Sequence, residues 1–198
     1  MARPRTFDEE RALESAMRMF WEKGYEATST QDLCDATGLG RSSIYNTFKS
    51  KHDLFERALT RYIDSTTATQ LAVLEDRRHT AADRLRALLA VIVESETEHR
   101  LGGRSLGCLT VNTTVELAAR DVRAARMLER DTARRLAALR ATVEEGRRDG
   151  SITSVRDADA LARFVNAAIG GMRVSGQGGA DRTALEAIAE VTMDALTR

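Results

Sequence analysis

Gly38 and Gly40 flank a single leucine between two helical patterns that are each only about two turns long. Glycine takes left-handed backbone at little steric cost and ends helices. No long helix can therefore run through residues 30–48, and the chain must turn there. On the N-terminal side, Thr28 with Gln31 and Ser29 with Asp32 both have the three-residue spacing of a capping box, with Leu33 and Ala36 facing inward. On the C-terminal side, Arg41 to Phe48 has only Ile44 and Phe48, at i and i+4, as large apolar anchors. What remains on this second short helix is a cation, three hydroxyls, a phenol and an amide.

The flanking patterns complete a compact module. Leu13, Ala16, Met17, Phe20 and Trp21 form the stripe of a first helix over about Phe7 to Lys23, and Gly24 stands at its C-terminal cap position. Ser50 with Asp53 caps a long fourth helix carrying Leu54, Phe55, Ala58, Leu59 and Tyr62. Two short helices about a glycine turn outline a helix-turn-helix, whose second helix reads base edges in the DNA major groove. Ile44 and Phe48 then hold its inner face, while Arg41, Ser42, Ser43, Tyr45, Asn46 and Thr47 point outward. Arginine suits guanine and asparagine suits adenine through paired hydrogen bonds. Hydroxyls, Tyr45, Lys49 and Lys51 suit phosphate, and Arg3 and Arg5 supply a basic arm before the first helix.

The rest of the 198-residue chain is helical in composition, rich in Ala, Leu, Arg and Glu with one proline, so the expected fold class is all-α. Helical patterns cover Leu85 to Val93, Leu109 to Leu117, about Val122 to Arg148, and two final segments. Breaks fall at residues 99–104, Gly107, 148–151 and 175–180. The division expected is a DNA-binding module over residues 1–50, a connector helix from about 51, and a larger helical domain over 51–198.

Several function classes are disfavoured. Thirty basic and thirty acidic side chains leave a net charge of zero, against a non-specific architectural DNA binder held by bulk charge. Cys34 and Cys108 have no metal-ligand spacing, and His52, His79 and His99 are scattered, so neither a zinc site nor any other metal or cofactor is expected. A helical thiol enzyme using Cys108 lacks a phosphate loop, a nucleophile elbow or an evident Cys–His pair. The longest apolar run, Ala87 to Val93, is too short to cross a bilayer, and no signal-peptide core is present, so a cytoplasmic protein without a membrane partner is expected.

The N-terminal pattern resembles the TetR/AcrR family of one-component transcriptional regulators. Ala16, Phe20, Gly24, Tyr25, Thr28, Thr30, Leu33, Ala36, Gly38, Leu39, Ile44, Tyr45, Phe48, Ser50, Lys51, Leu54 and Phe55 carry the resemblance, in register over roughly residues 8 to 60. Ser42 stands where the family often has glycine, and Asn46 and Thr47 where histidine or tyrosine is commoner, which bears on operator sequence. The resemblance implies a regulator, by family habit a repressor, that binds a palindromic operator. Phosphate contacts are then expected at Tyr45 and Lys51, and base contacts at Arg41 and Asn46. It also implies a homodimer through the last two helices, where Leu161, Phe164, Val165, Ala168, Ile169 and Met172, and Leu185, Ile188, Ala189, Thr192 and Leu196, recur at helical spacing.

An effector site is expected around Leu106 to Asp121, where Cys108, Asn112 and Glu116 interrupt an apolar helix, with Phe164, Met172 and Val91 as apolar walls. Cys108 falls at a helix N-terminus, a setting that favours thiolate. The expected effector is a small molecule or an electrophile. Cys34 reads as a small buried hydrophobe.

Overall fold

The structure is a computed structural model and describes residues 5–98, 100–101 and 103–198. Among them are nine α-helices: α1 (Arg5–Lys23), α2 (Thr30–Thr37), α3 (Arg41–Phe48), α4 (Lys51–Glu75), α5 (Ala81–Glu98), α6 (Leu109–Leu117), α7 (Val122–Asp149), α8 (Ala158–Gln177) and α9 (Arg182–Thr197). The fold is all-α. One small addition lies within the break expected after residue 98, an antiparallel ribbon of β1 (Arg100–Leu101) and β2 (Arg104–Ser105). Arg3 lies outside the described residues, and Arg5 opens α1.

The chain divides into two compact units. The first takes in the chain up to Ser65 together with Cys108–Leu128, and the second Thr66–Gly107 with Glu129–Arg198. Where the sequence suggested a division at residues 50 and 51, α6 and the start of α7 group with the N-terminal helices. Burial gives the reason: Leu109, Leu117 and Ala124 share a core with Phe20, Leu33, Ile44, Phe48, Leu54 and Phe55. Phe20 meets Phe55 edge-on at 5.2 Å, and Tyr25 lies 4.9 Å from the same ring. Each such phenyl group, taken wholly from water, contributes roughly 1.5–3 kcal/mol.

The second unit is built on α5, α8 and α9, whose core includes Leu85, Leu88, Ile92, Leu161, Val165, Ile169, Met172, Leu185 and Leu196, joined by Leu139 and Val143 of α7. Polar groups are buried inside it. Glu96 and Arg173 are 0% and 4% exposed and pair at 2.9 Å, while the Ser105 hydroxyl donates to the other carboxylate oxygen of Glu96 and accepts from the Gly107 amide. Asp131 accepts from Thr67 at 2.5 Å and from Arg135 at 3.1 Å, and Arg135 donates to Asn166 at 2.8 Å. Arg84 spans the Leu74 carbonyl and Glu145. Among the described residues no helix is long and apolar enough to cross a membrane.

α8 carries two apolar faces, and this changes the surface expected for dimer formation. Leu161, Val165, Ile169 and Met172 are buried in the subunit's own core, as are Leu185, Thr192 and Leu196 of α9. The face left open instead presents Phe164, Ala167, Gly171 and Val174 on α8, with Ala184, Ala187 and Val191 on α9. Small residues on this face allow close approach of another helix.

Candidate nucleic-acid interface

Local chemistry fixes both short helices. Ser29, not Thr28, caps α2: its hydroxyl accepts from the Asp32 amide at 3.1 Å while the Asp32 carboxylate accepts from the Ser29 amide at 2.8 Å. Lys23 reaches the same carboxylate at 2.6 Å. The hydrogen bond from Lys23, then those from Ser29, hold the Asp32 carboxyl well below the usual range. Thr28 is buried and donates to the Gly24 carbonyl. Gly38 ends α2 in left-handed backbone, φ +68°, with its amide on the Cys34 carbonyl at 2.9 Å. Cys34 itself is half-buried.

α3 starts from Gly40 with no side-chain cap, and the Ser43 and Ile44 amides return to the Gly40 carbonyl at 2.9 and 3.1 Å. Ile44 and Phe48 are 1% and 0% exposed and fix the inner face. Arg41, Ser42, Ser43, Asn46, Thr47 and Lys49 are exposed, whereas Tyr45 and Lys51 are half-buried. The Tyr45 hydroxyl lies 3.1 Å from that of Thr30 on α2, and the Arg41 guanidinium lies 5.8 Å from the Tyr45 ring centre. Lys51 stands 4.4 Å over the Tyr25 ring. Lys49 ends α3 at φ +58°, a region disfavoured for side-chain-bearing residues. Six of the eight residues marked in the sequence for DNA thus lie on α3, Lys49 is its C-cap, and Lys51 opens α4. Thr30 was not marked for DNA, because its contact with Tyr45 joins two helices across fifteen residues and no helical spacing announces it.

A cluster of charges joins the α1–α2 turn, the start of α4 and the turn between α6 and α7. Both carboxylate oxygens of Glu116, near the end of α6, accept backbone amides of the α1–α2 turn: Tyr25 at 2.9 Å and Glu26 at 2.8 Å. His52 Nε2 lies 2.6 Å from Asp121, and His52 Nδ1 lies 3.7 Å from Glu56. Asp121 in turn accepts from the amides of Arg123 and Ala124 at the start of α7. Burial pushes the Asp121 carboxyl up, but the His52 hydrogen bond and those two amides outweigh it and hold the group below its ordinary value. Burial, then the carboxylates of Glu26, Asp121, Glu116 and Glu56, raise the Tyr25 phenol.

The residues marked for an effector are placed differently. Cys108, Asn112 and Glu116 belong to the first unit, Phe164 and Met172 to the second. Both oxygens of Glu116 are engaged by backbone amides. Cys108 is buried at the N-cap of α6, its sulfur 3.0 Å from the Thr110 hydroxyl, and Asn112 is half-buried one turn on. Phe164 is 43% exposed because it sits on the open face of α8, while Met172 is wholly within the core.

A capped two-turn helix, a left-handed glycine and a second short helix with a locked inner face define a helix-turn-helix module. The chain belongs to the TetR family: the family described as bacterial regulatory proteins, tetR family, matches residues 12–58, and a tetracyclin repressor-like C-terminal domain matches residues 81–191. The HTH-type transcriptional repressor ComR of Escherichia coli (strain K12) is 33% identical over 191 residues, covering 96% of this chain and 90% of that protein. An uncharacterized HTH-type transcriptional regulator, YezE of Bacillus subtilis (strain 168), is 33% identical over 171 residues, covering 84% of each. Among solved structures, a cysteine mutant of the TetR family transcriptional regulator CifR, complexed with a 26-base-pair double-strand operator DNA, matches with a TM-score of 0.83 and 27% identity over 98% of this chain and 100% of that one.

Proposed function

We propose that the chain is a dimeric transcriptional repressor that binds a palindromic operator through α3 of each copy and is released by a small-molecule or thiol-reactive effector. The observation that carries the reading is the division of α3 into a face locked by Ile44 and Phe48 and a face of exposed Arg41, Ser42, Ser43, Asn46 and Thr47. The first holds the helix in register, and the second offers base-reading chemistry without an apolar surface to bury. Tyr45, steadied by Thr30, and Lys51, over Tyr25, are set for phosphates. The operator complex of the related CifR supports the ligand class.

A second copy seats on the open face of α8 and α9, bringing two α3 helices to half-sites roughly 34–36 Å apart. An effector acts only through unequal affinity for the bound and released conformations, typically a coupling of roughly 1–3 kcal/mol. Cys108, at the uncapped start of α6, is the group a thiol-reactive effector would modify. No catalytic role is assigned.

The test is fluorescence anisotropy of duplex selected from a random pool, against scrambled duplex, with wild type and Arg41→Ala. Expected is sequence-dependent binding that the substitution weakens, by about 1–3 kcal/mol for loss of a bidentate base contact. Equal affinity for both duplexes overturns the reading. Release by an oxidant that persists in Cys108→Ser rules out Cys108 as the responding group, and the same test on Cys34→Ser decides whether the other thiol carries it.

A further inference from the structure

A carboxylate at position 116 is in an electrostatically poor place. It lies near the C-terminal end of α6 and against the turn that follows the C-terminal end of α1, so two helix dipoles oppose it. Glu26, Glu56 and Asp121 bear on the neighbouring Tyr25 phenol, while Lys51 stands over its ring and His52 meets Asp121 and Glu56. What offsets the two dipoles at Glu116 is a paired contact: Tyr25 and Glu26 donate their backbone amides to its two oxygens at 2.9 and 2.8 Å. Such charge-assisted bonds are about twice as strong as neutral ones.

The turn is shaped around that contact. Gly24, at φ +83°, brings its backbone so near that a Cβ there would stand 3.0 and 3.2 Å from the two carboxylate oxygens. The Gly24 carbonyl accepts from Thr28 at 2.5 Å, Ser29 caps α2, and Thr30, first residue of α2, meets Tyr45 of α3. Backbone, hydrogen bonds and one capped helix thus connect Glu116 to Tyr45 of α3.

We propose that Glu116 is a positioning residue for operator binding: its carboxylate holds the Gly24–Glu26 turn and thereby sets where α2 and α3 stand for the DNA. The proposal rests on the operator-binding reading and adds to it the group on α6 that fixes the reading helix. Glutamine at 116 keeps one acceptor but turns an NH2 toward the second backbone N–H. Aspartate keeps the charge and loses one methylene of reach.

The experiment compares full-length wild type, Glu116→Gln, Glu116→Asp and Val115→Ala, reading anisotropy on the selected operator and on scrambled duplex, amide hydrogen exchange without DNA, and thermal melting. Expected for Glu116→Gln is operator affinity weakened about tenfold, with scrambled-duplex affinity within about twofold of wild type and faster exchange at the Tyr25 and Glu26 amides. Glu116→Asp should fall between the two. Val115 is 84% exposed one residue away on α6, so its truncation should move none of these readings. The proposal is overturned if Glu116→Gln exchanges faster at both amides yet binds operator like wild type. It is equally overturned if operator and scrambled affinities fall together with the melting midpoint, the mark of general unfolding. A wild type that selects no sequence fails the operator reading itself, a result distinct from either.

Discussion

Replacing Arg173 by methionine should be among the most damaging single changes in the second unit. Arg173 and Glu96 are buried together, and the Glu96 carboxylate has its charge partner in Arg173 at 2.9 Å and a neutral one in the Ser105 hydroxyl. Methionine matches much of the arginine stem but takes away the cation, leaving the buried carboxylate with the Ser105 hydroxyl as its partner among the described residues. Breaking one side of such a pair costs about 3–5 kcal/mol. For a chain of this length each kcal/mol moves the melting midpoint by roughly 2–4 °C, so a drop of about 6 to 20 °C is expected. Because oligomer formation makes the midpoint depend on concentration, the comparison is run at one fixed protein concentration. The double change Glu96→Leu with Arg173→Met should be less harmful than Arg173→Met alone, since it removes the stranded charge as well as the bond. A loss under about 1 kcal/mol for the single variant, or a double variant worse than the sum of both singles, would refute the reasoning.

Other outcomes can be stated more briefly. Phe164→Glu, on the open face of α8, should weaken self-association by about 2 kcal/mol, roughly thirtyfold, as read by sedimentation equilibrium, because an exposed aromatic on the face proposed for the second copy becomes a charge. Gly146→Ala should destabilise by up to about 2 kcal/mol in urea: helix propensity favours alanine by about 1, but overpacking costs roughly 1–3. The new Cβ would lie 2.5 Å from Ile152 Cδ1 and 3.0 Å from Ala81 Cβ, and Ile152→Val should restore part of the loss. His52→Gln should lower the stability of the first unit at neutral pH, with the gap to wild type closing as pH falls below about 4. The sign follows from Asp121, whose carboxyl is held below its ordinary value partly by His52. A depressed carboxylate contributes above its unfolded value and loses that contribution as it protonates.

What was legible in the sequence was local. The bounds of α3 and α6 follow from Gly40, Phe48, Gly107 and Leu117, because caps and glycine turns act within a few residues. The capping box of Ser29 and Asp32 was visible as one of two options, and the structure separates them by burying Thr28. Glu116 was not legible, since its partners lie ninety residues away and are backbone amides that no side-chain pattern announces. Nor was the choice between the two faces of α8, because Leu161, Val165 and Ile169 and the alternative Phe164, Ala167 and Gly171 both recur at helical spacing. Only the packing of α5 and α9 decides which of them turns inward.

The separation of the two faces of α3 bears on how such a protein can change over evolutionary time. A two-turn helix is too short to be stable alone, so its persistence is borrowed from Ile44 and Phe48 and from the helices they touch. The side chains at 41, 42, 43, 46 and 47 take little part in that support and are open to replacement at a stability change of about 0.5 kcal/mol or less. A duplicated copy could therefore drift to a new target sequence one exposed residue at a time, without passing through an unfolded intermediate.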